Sequence, residues 1–180
     1  PMQPFEKEYD YVVMHLHSAT SKGHILEQFY IDGLVQKVSE FTNVVLISTP
    51  DTNHLFNHLQ NDKVMIFNGS VQEVFAVLAQ AQAMVSTDSG FRYIAYGCSV
   101  PTITFSANCM APSQVPLSHQ IRWLMFTSHL LPLNYSFTFV AKAVKNILAN
   151  KGFGLLPFIQ DFNRELVFRE YTINQEKTKL

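Results

Sequence analysis

Two periods of apolar residues alternate along the chain. The runs "YDYVVMHL" (9–16) and "NVVLIS" (43–48) are short, rich in β-branched residues and followed by turn residues, the signature of strands. Between them Ile25, Phe29, Tyr30, Leu34, Val38 and Phe41 recur at helical spacing. The alternation continues with "TNHLFNHLQ" as a short helix, "KVMIF" (63–67) as a strand and "VQEVFAVLAQAQ" as a helix. Ser70, followed three residues later by Glu73, forms a capping box at the start of that helix. A further unit is predicted from the strand "AMVS" (83–86), a helix from about Phe91 to Tyr96 ended by Gly97, and the strand "TITF" (102–105). "IRWLMF" adds a sixth strand between Pro-containing loops, and Ser136 caps a helix "FTFVAKAVKNILAN" stopped near Gly152. Strands apolar on both faces, alternating with helices, predict an α/β fold: a Rossmann-like, mostly parallel sheet with helices on both faces.

Composition bounds this picture. With 180 residues, 47% of them apolar, the chain can bury one sizeable core but not two, so residues 1–152 are expected as one domain and 153–180 as a tail. Phe153, Phe158, Phe162, Phe168 and Tyr171 give that tail an aromatic stripe that would pack on the domain or on a missing partner half. A formal charge of −1 supplies no long-range field for nucleic acid. No apolar run reaches the roughly 18 residues of a membrane span, and no basic flank precedes an apolar segment at the start. Cys98 and Cys109 match no zinc spacing and are expected to be reduced, the first in the core, in a cytoplasmic protein that could also sit peripherally at the inner membrane face. The chain opens on Pro1 rather than Met, as a piece of a longer protein would.

The polar knot "TDSG" (87–90) interrupts two stretches that want to be buried. In an open parallel sheet ligands bind outside the carboxyl ends of the strands, and this knot lies at such an end and opens the next helix. Helix-start N–H groups suit a phosphate or carboxylate. Gly90 would permit close backbone approach, Thr87 and Ser89 would add hydroxyl donors, Asp88 would brace the loop, and Arg92 would supply counter-charge. The other reading is a tight β–α connection with its cap. Ser89 lacks the G-x-S-x-G context of a hydrolase nucleophile.

The histidines carry weaker signals. His54 and His58 stand four apart, but no Glu lies between them as in H-E-x-x-H and no third ligand is evident, so no metal is expected. His15 and His17 point to one face of a strand end, where His17 could contact a ligand or be a hydrogen-bonded edge residue. His24, beside Lys22, is the stronger binding candidate.

Residues 68–105, "NGSVQEVFAVLAQAQAMVSTDSGFRYIAYGCSVPTITF", resemble the nucleotide-sugar-binding half of glycosyltransferase family 9, the ADP-heptose lipopolysaccharide heptosyltransferases. Gly69-Ser70, Asp88-Ser89-Gly90, Ile94-Ala95, and Gly97 ahead of Val100-Pro101 carry the likeness. "VVMHLHSATSKGHILEQFYIDGLV" has the shape of the opening unit of that half, and Lys22 matches the lysine that meets the donor phosphates. The resemblance implies one half of a GT-B fold that binds an ADP-heptose-like donor and transfers its sugar to an acceptor hydroxyl in lipopolysaccharide biosynthesis. It implies no metal or other cofactor, and a separate N-terminal half for the acceptor, which usually also supplies the catalytic base. No catalytic residue is assigned in this chain. By the same likeness Lys22, Thr87, Asp88, Ser89, Gly90, Phe91, Arg92 and Tyr93 would contact the donor, with His17, His24 and Asp51 as ribose or loop contacts. Two positions depart from the family: Tyr93 replaces its histidine, and only Asp51 stands near the place of its ribose acid. The alternative is a non-catalytic interaction domain that kept the fold and lost the chemistry.

Overall fold

The computed structural model describes residues 10–17, 26–87, 89–106, 123–127, 133–149 and 169–170, with backbone only for 106, 123–127, 133–136 and 169–170. The runs read as strands become β1 (Tyr11–His15), β2 (Asn43–Ile47), β3 (Val64–Phe67), β4 (Ala83–Thr87), β5 (Thr102–Ser106) and β6 (Trp123–Thr127), and Arg169–Glu170 forms a short β7. Helices α1 (Gln28–Ser39), α2 (Val71–Leu78), α3 (Phe91–Gly97) and α4 (Leu133–Leu148) fill the helical stretches. The segment around His54 and His58 is not an α-helix but two single 3-10 turns, Asn53–Leu55 and Asn57–Leu59. The Asn-rich, repeatedly interrupted apolar pattern there supports no longer ladder. Ser136 falls inside the first turn of α4, because that helix begins at Leu133.

The sheet order is β3-β2-β1-β4-β5-β6-β7, with β1 to β6 parallel and β7 antiparallel to β6. Val13 aligns with Val45 on one side and Met84 on the other, so β1 is central and buried on both faces. Strand parity divides the core. Val12, Met14 and Leu16 pack with Leu34, Val35 and Val38 of α1 and Val140 and Val144 of α4, where Tyr30 meets Phe105 and Phe137 edge-on. Tyr11, Val13 and Met84 pack on the opposite face with Val74, Val77 and Leu78 of α2 and Ala95 of α3. Tyr11 is held there by its hydroxyl, which donates to the Val77 carbonyl at 2.7 Å, and burial pushes its pKa up to about 12. The chain leaves β1 toward β2 and β3, then returns to the other side of β1 with β4. The sheet therefore has a switch point between β1 and β4, where their carboxyl ends part and leave a crevice.

Helix ends follow local chemistry. At the start of α2, Ser70 Oγ accepts from the Glu73 N–H and the Glu73 carboxylate accepts from the Ser70 N–H at 2.7 Å, the predicted capping box. The sequence ends α3 at Gly97, and the helix does end there, but the left-handed residue that closes it is Ser99 and not the glycine. Ser99 takes a left-handed φ of 58°, its N–H bonds to Tyr96, and the Val100 N–H reaches back to the Ala95 carbonyl at 2.9 Å. That pair of bonds is a Schellman motif with serine in place of glycine. Cys98 is a half-buried free thiol against the α2–α3 core, and burial raises its pKa. Cys109, the stop near Gly152 and the aromatic stripe lie outside the residues with described side chains. Among the described residues no helix is long and apolar enough to cross a membrane.

Candidate functional site

A cavity of about 390 Å³ opens at the switch point, within the range of about 300 to 1,000 Å³ typical of small-molecule sites. Its floor is formed by His15 and His17 from the carboxyl end of β1 and by Ser89. Ser48, Thr49 and Thr52 close the side beyond β2, and Gly90 lies at the α3 side. Apolar walls come from Ile47, Val71, Phe91 and Ile94. None of the described lining residues is a carboxylate or a permanently charged base.

The floor is a connected polar network under these walls. His15 Nδ1 lies 3.0 Å from Ser89 Oγ, which lies 3.1 Å from Ser86 Oγ, and the Ser86 hydroxyl donates to the Thr87 carbonyl at 2.6 Å. The His15 ring meets Phe91 edge-on, with centroids 4.8 Å apart. Burial, and second the neighbouring His17, push the pKa of His15 down to about 4, so its imidazole is neutral at pH 7. His17 also faces the cavity, and its Nδ1 is buried with no hydrogen-bond partner among the described residues. A second cluster stands across from it. Thr52 Oγ1 accepts from the Thr49 N–H at 3.0 Å and lies within hydrogen-bond distance of the Ser48 and Thr49 hydroxyls, at 2.9 and 3.0 Å.

The expected contacts divide sharply. Ser89, Gly90, Phe91 and His17 line the cavity. Thr87 does not: it shares the parity of Ala83 and Val85, is fully buried, and sends its hydroxyl to the His15 carbonyl at 3.4 Å. Arg92 does not line the cavity either. Its guanidinium is fully buried, donates to the Tyr93 hydroxyl at 2.8 Å and stacks over that ring at 4.7 Å. Tyr93 and Asp51 are both exposed, and neither is among the lining residues. Lys22, His24 and Asp88 lie outside the described residues. His58 pairs with Asp32 at 3.0 Å, and among the described residues no three metal-ligating side chains converge. Residue-by-residue reading missed Ser48, Thr49 and Thr52, and it left His15 without a role. Their signal is present in the sequence as hydroxyls and an imidazole at the carboxyl ends of β2 and β1.

Gly90 is informative because the protein itself does not demand it. Its φ is −60°, and a Cβ added there would meet nothing within 4 Å. Gly90 is exposed and is one of the residues that line the cavity.

The sequence matches no protein-family model and no curated protein. Solved structures do match by fold. An Escherichia coli heptosyltransferase, WaaC, solved with ADP is 18% identical with a TM-score of 0.59, over 74% of this chain and 44% of that one. A glycosyltransferase of family 9 from Veillonella parvula is 13% identical with a TM-score of 0.51, over 64% of this chain and 36% of its own. A UDP-GlcNAc 2-epimerase from Methanocaldococcus jannaschii is 16% identical with a TM-score of 0.53, over 86% of this chain and 46% of its own. The chain spans less than half the length of each of these neighbours, and its architecture is that of one half of a GT-B fold, Rossmann-like with its cavity at the switch point.

Proposed function

We propose that the chain is the donor-binding half of a heptosyltransferase-like glycosyltransferase. The observation that carries this reading is the placement of the cavity. It opens where Rossmann-like sheets bind nucleotides, in a fold shared with a heptosyltransferase solved with ADP. A nucleoside diphosphate sugar occupies it, with apolar walls against the nucleoside and the polar floor and the Ser48, Thr49 and Thr52 hydroxyls against ribose or sugar. The acceptor site and catalytic base belong to a second, N-terminal half. An acceptor hydroxyl displaces the diphosphate at the anomeric carbon, forming one C–O bond as another breaks. Negative charge grows on the leaving diphosphate, and Lys22, together with backbone N–H groups beside Ser89 and Gly90, offsets it. The work is cytoplasmic, and the single half turns over little.

Calorimetric titration with ADP, UDP, GDP and their sugar conjugates tests the reading. Saturable binding of ADP that is lost in Gly90→Val and weakened in Lys22→Ala supports it. A preference for UDP conjugates, with epimerisation by the complete protein, would instead assign the cavity to the epimerase side of this fold. The second reading, a non-catalytic interaction domain, is favoured by the absence of a charged side chain among the described lining residues. It takes precedence if none of these ligands binds at millimolar concentration.

A further inference from the structure

The hydrogen-bond chain under the cavity has a direction that its distances reveal. Ser86 Oγ is 2.6 Å from the Thr87 carbonyl and 3.1 Å from Ser89 Oγ. A carbonyl can only accept, so the shorter contact takes the Ser86 hydrogen. Ser86 Oγ is then the acceptor that the Ser89 hydroxyl fills. Ser89 Oγ in turn accepts from His15 Nδ1 at 3.0 Å, which places the ring proton on Nδ1. In this arrangement each hydroxyl donates once and accepts once.

The consequence falls on the other ring nitrogen. Nε2 is left unprotonated, an acceptor with no hydrogen-bond partner among the described residues, on a ring that lines the cavity. Its orientation is held by the edge contact to Phe91. Burial keeps the ring neutral, so this acceptor persists at neutral pH. We infer that His15 is the specificity-determining residue of the cavity, its Nε2 accepting a hydrogen from a hydroxyl of a polyhydroxylated ligand. The inference rests on the reading of the cavity as a nucleotide-sugar site and names the group that the site reads. The polar lining shared with His15 includes the hydroxyls of Ser48, Thr49 and Thr52. A ligand hydroxyl that donates to Nε2 can still accept a hydrogen from one of these.

The donating hydroxyl belongs either to the ribose or to the transferred sugar, and titrations of the full chain separate the two. The ligands are ADP, its 2′-deoxy and 3′-deoxy analogues, inosine diphosphate and an ADP-hexose. Wild-type protein should lose about tenfold in affinity for one deoxy analogue if the ribose is read, or gain about tenfold for ADP-hexose over ADP if the sugar is read. His15→Phe should erase that preference while leaving the residual affinity for the other ligands. A preference unchanged in His15→Phe overturns the inference and leaves the nucleotide reading standing. A preference for ADP over inosine diphosphate that His15→Phe erases assigns Nε2 to the exocyclic amine and overturns the hydroxyl assignment. If none of the ligands binds wild-type protein, the nucleotide reading and the inference fall together. Imidazole nitrogen NMR on the unliganded chain tests the premise even if the variant does not fold. His15 should carry its proton on Nδ1 at pH 7 and lose that preference in Ser89→Ala; a proton found on Nε2 overturns the inference.

Discussion

Two helices start side by side on one face of the sheet, and their starts are built in opposite ways. The start of α2 is closed on itself: Ser70 and Glu73 satisfy each other's backbone donors, and a Cβ on Gly69 would come within 2.7 Å of the Phe67 ring and 3.1 Å of Glu73 Cβ. The start of α3 is open. Gly90 caps it with no side-chain bond, open space lies beside its Cα, and the nearest hydroxyl, that of Ser89, bonds to His15 and Ser86 instead of to the helix. One start is locked by its own side chains and the other has no side-chain cap, although both border the cavity, through Val71 and through Gly90 and Phe91. The difference matters because both follow a strand and both look like turn-and-cap sequences.

The matched glycines test this contrast with the largest effects. Gly90→Val should leave the thermal transition nearly unchanged and weaken nucleotide binding by about a hundredfold, the scale of 1–3 kcal/mol expected when a packed contact is overfilled. Gly69→Val should do the reverse, destabilising the fold by about 1–3 kcal/mol because the Phe67 ring and Glu73 must move. Thermal melts and calorimetry on the same two proteins decide it. Equal destabilisation by both substitutions would remove the distinction between the two starts.

The cavity floor should also show itself in the pH dependence of stability. His15 titrates near 6.5 when unfolded and at about 4 when folded, so the unfolded chain binds the extra proton between those values. Stability from the neutral ring is complete above pH 6.5 and is lost as the pH falls toward 4, by up to about 3 kcal/mol. Glu73, held below its usual range first by the Ser70 N–H and then by its hydroxyl, weakens α2 only at more acidic pH. Denaturant unfolding at pH 7.5, 6, 5 and 4 should therefore show a loss that His15→Asn flattens. A curve flat across that window in the wild type would mean that the floor is hydrated and the histidine ordinary.

Smaller effects separate the two serines. Ser70→Ala removes a cap and should cost about 1 kcal/mol without touching ligand affinity. Ser89→Ala should cost about the same, because it leaves a buried donor on His15 unpartnered, and should also change what the cavity binds. An affinity change in Ser70→Ala as large as that in Ser89→Ala would indicate that the α2 start also takes part in binding.

Much of this architecture was legible because β1 to β5 are short runs containing β-branched residues and the helices carry a helical period, whereas β6 (WLMFT) has a weaker signal and β7 (RE) none. The capping box was readable from Ser70 and Glu73 alone. The strand order was not, since nothing local says that β4 pairs with β1 rather than with β3. Side-chain direction was harder still. Thr87, Ser89 and Arg92 lie within six residues, and the sequence groups them as one anion cradle. Strand parity turns Thr87 to the α1–α4 face, and the helical turn buries Arg92 against Tyr93. His15 received no role for the opposite reason: in "VVMHL" it sits among core residues, and only the juxtaposition with Ser89, far along the chain, and its place in the cavity lining show where its ring stands.

The far end of α3 sharpens the contrast between the helix starts. If α3 were simply a poor helix, its open start would carry no meaning. Its end, however, is fully closed by the Schellman bonds from Ser99 and Val100, with Val100 and Ala95 packed in the same core cluster. Ser99 holds its left-handed φ at a cost of about 1–2 kcal/mol relative to the right-handed region, a cost glycine does not bear. Part of that gain returns as the greater entropy of glycine in the unfolded chain, so Ser99→Gly should stabilise the protein by about 0.5–1 kcal/mol. Nucleotide affinity should stay at the wild-type value, because the substitution sits at the end of α3 remote from the cavity. Stabilisation without a change in binding would show that α3 is a sound helix whose start is left open beside the cavity.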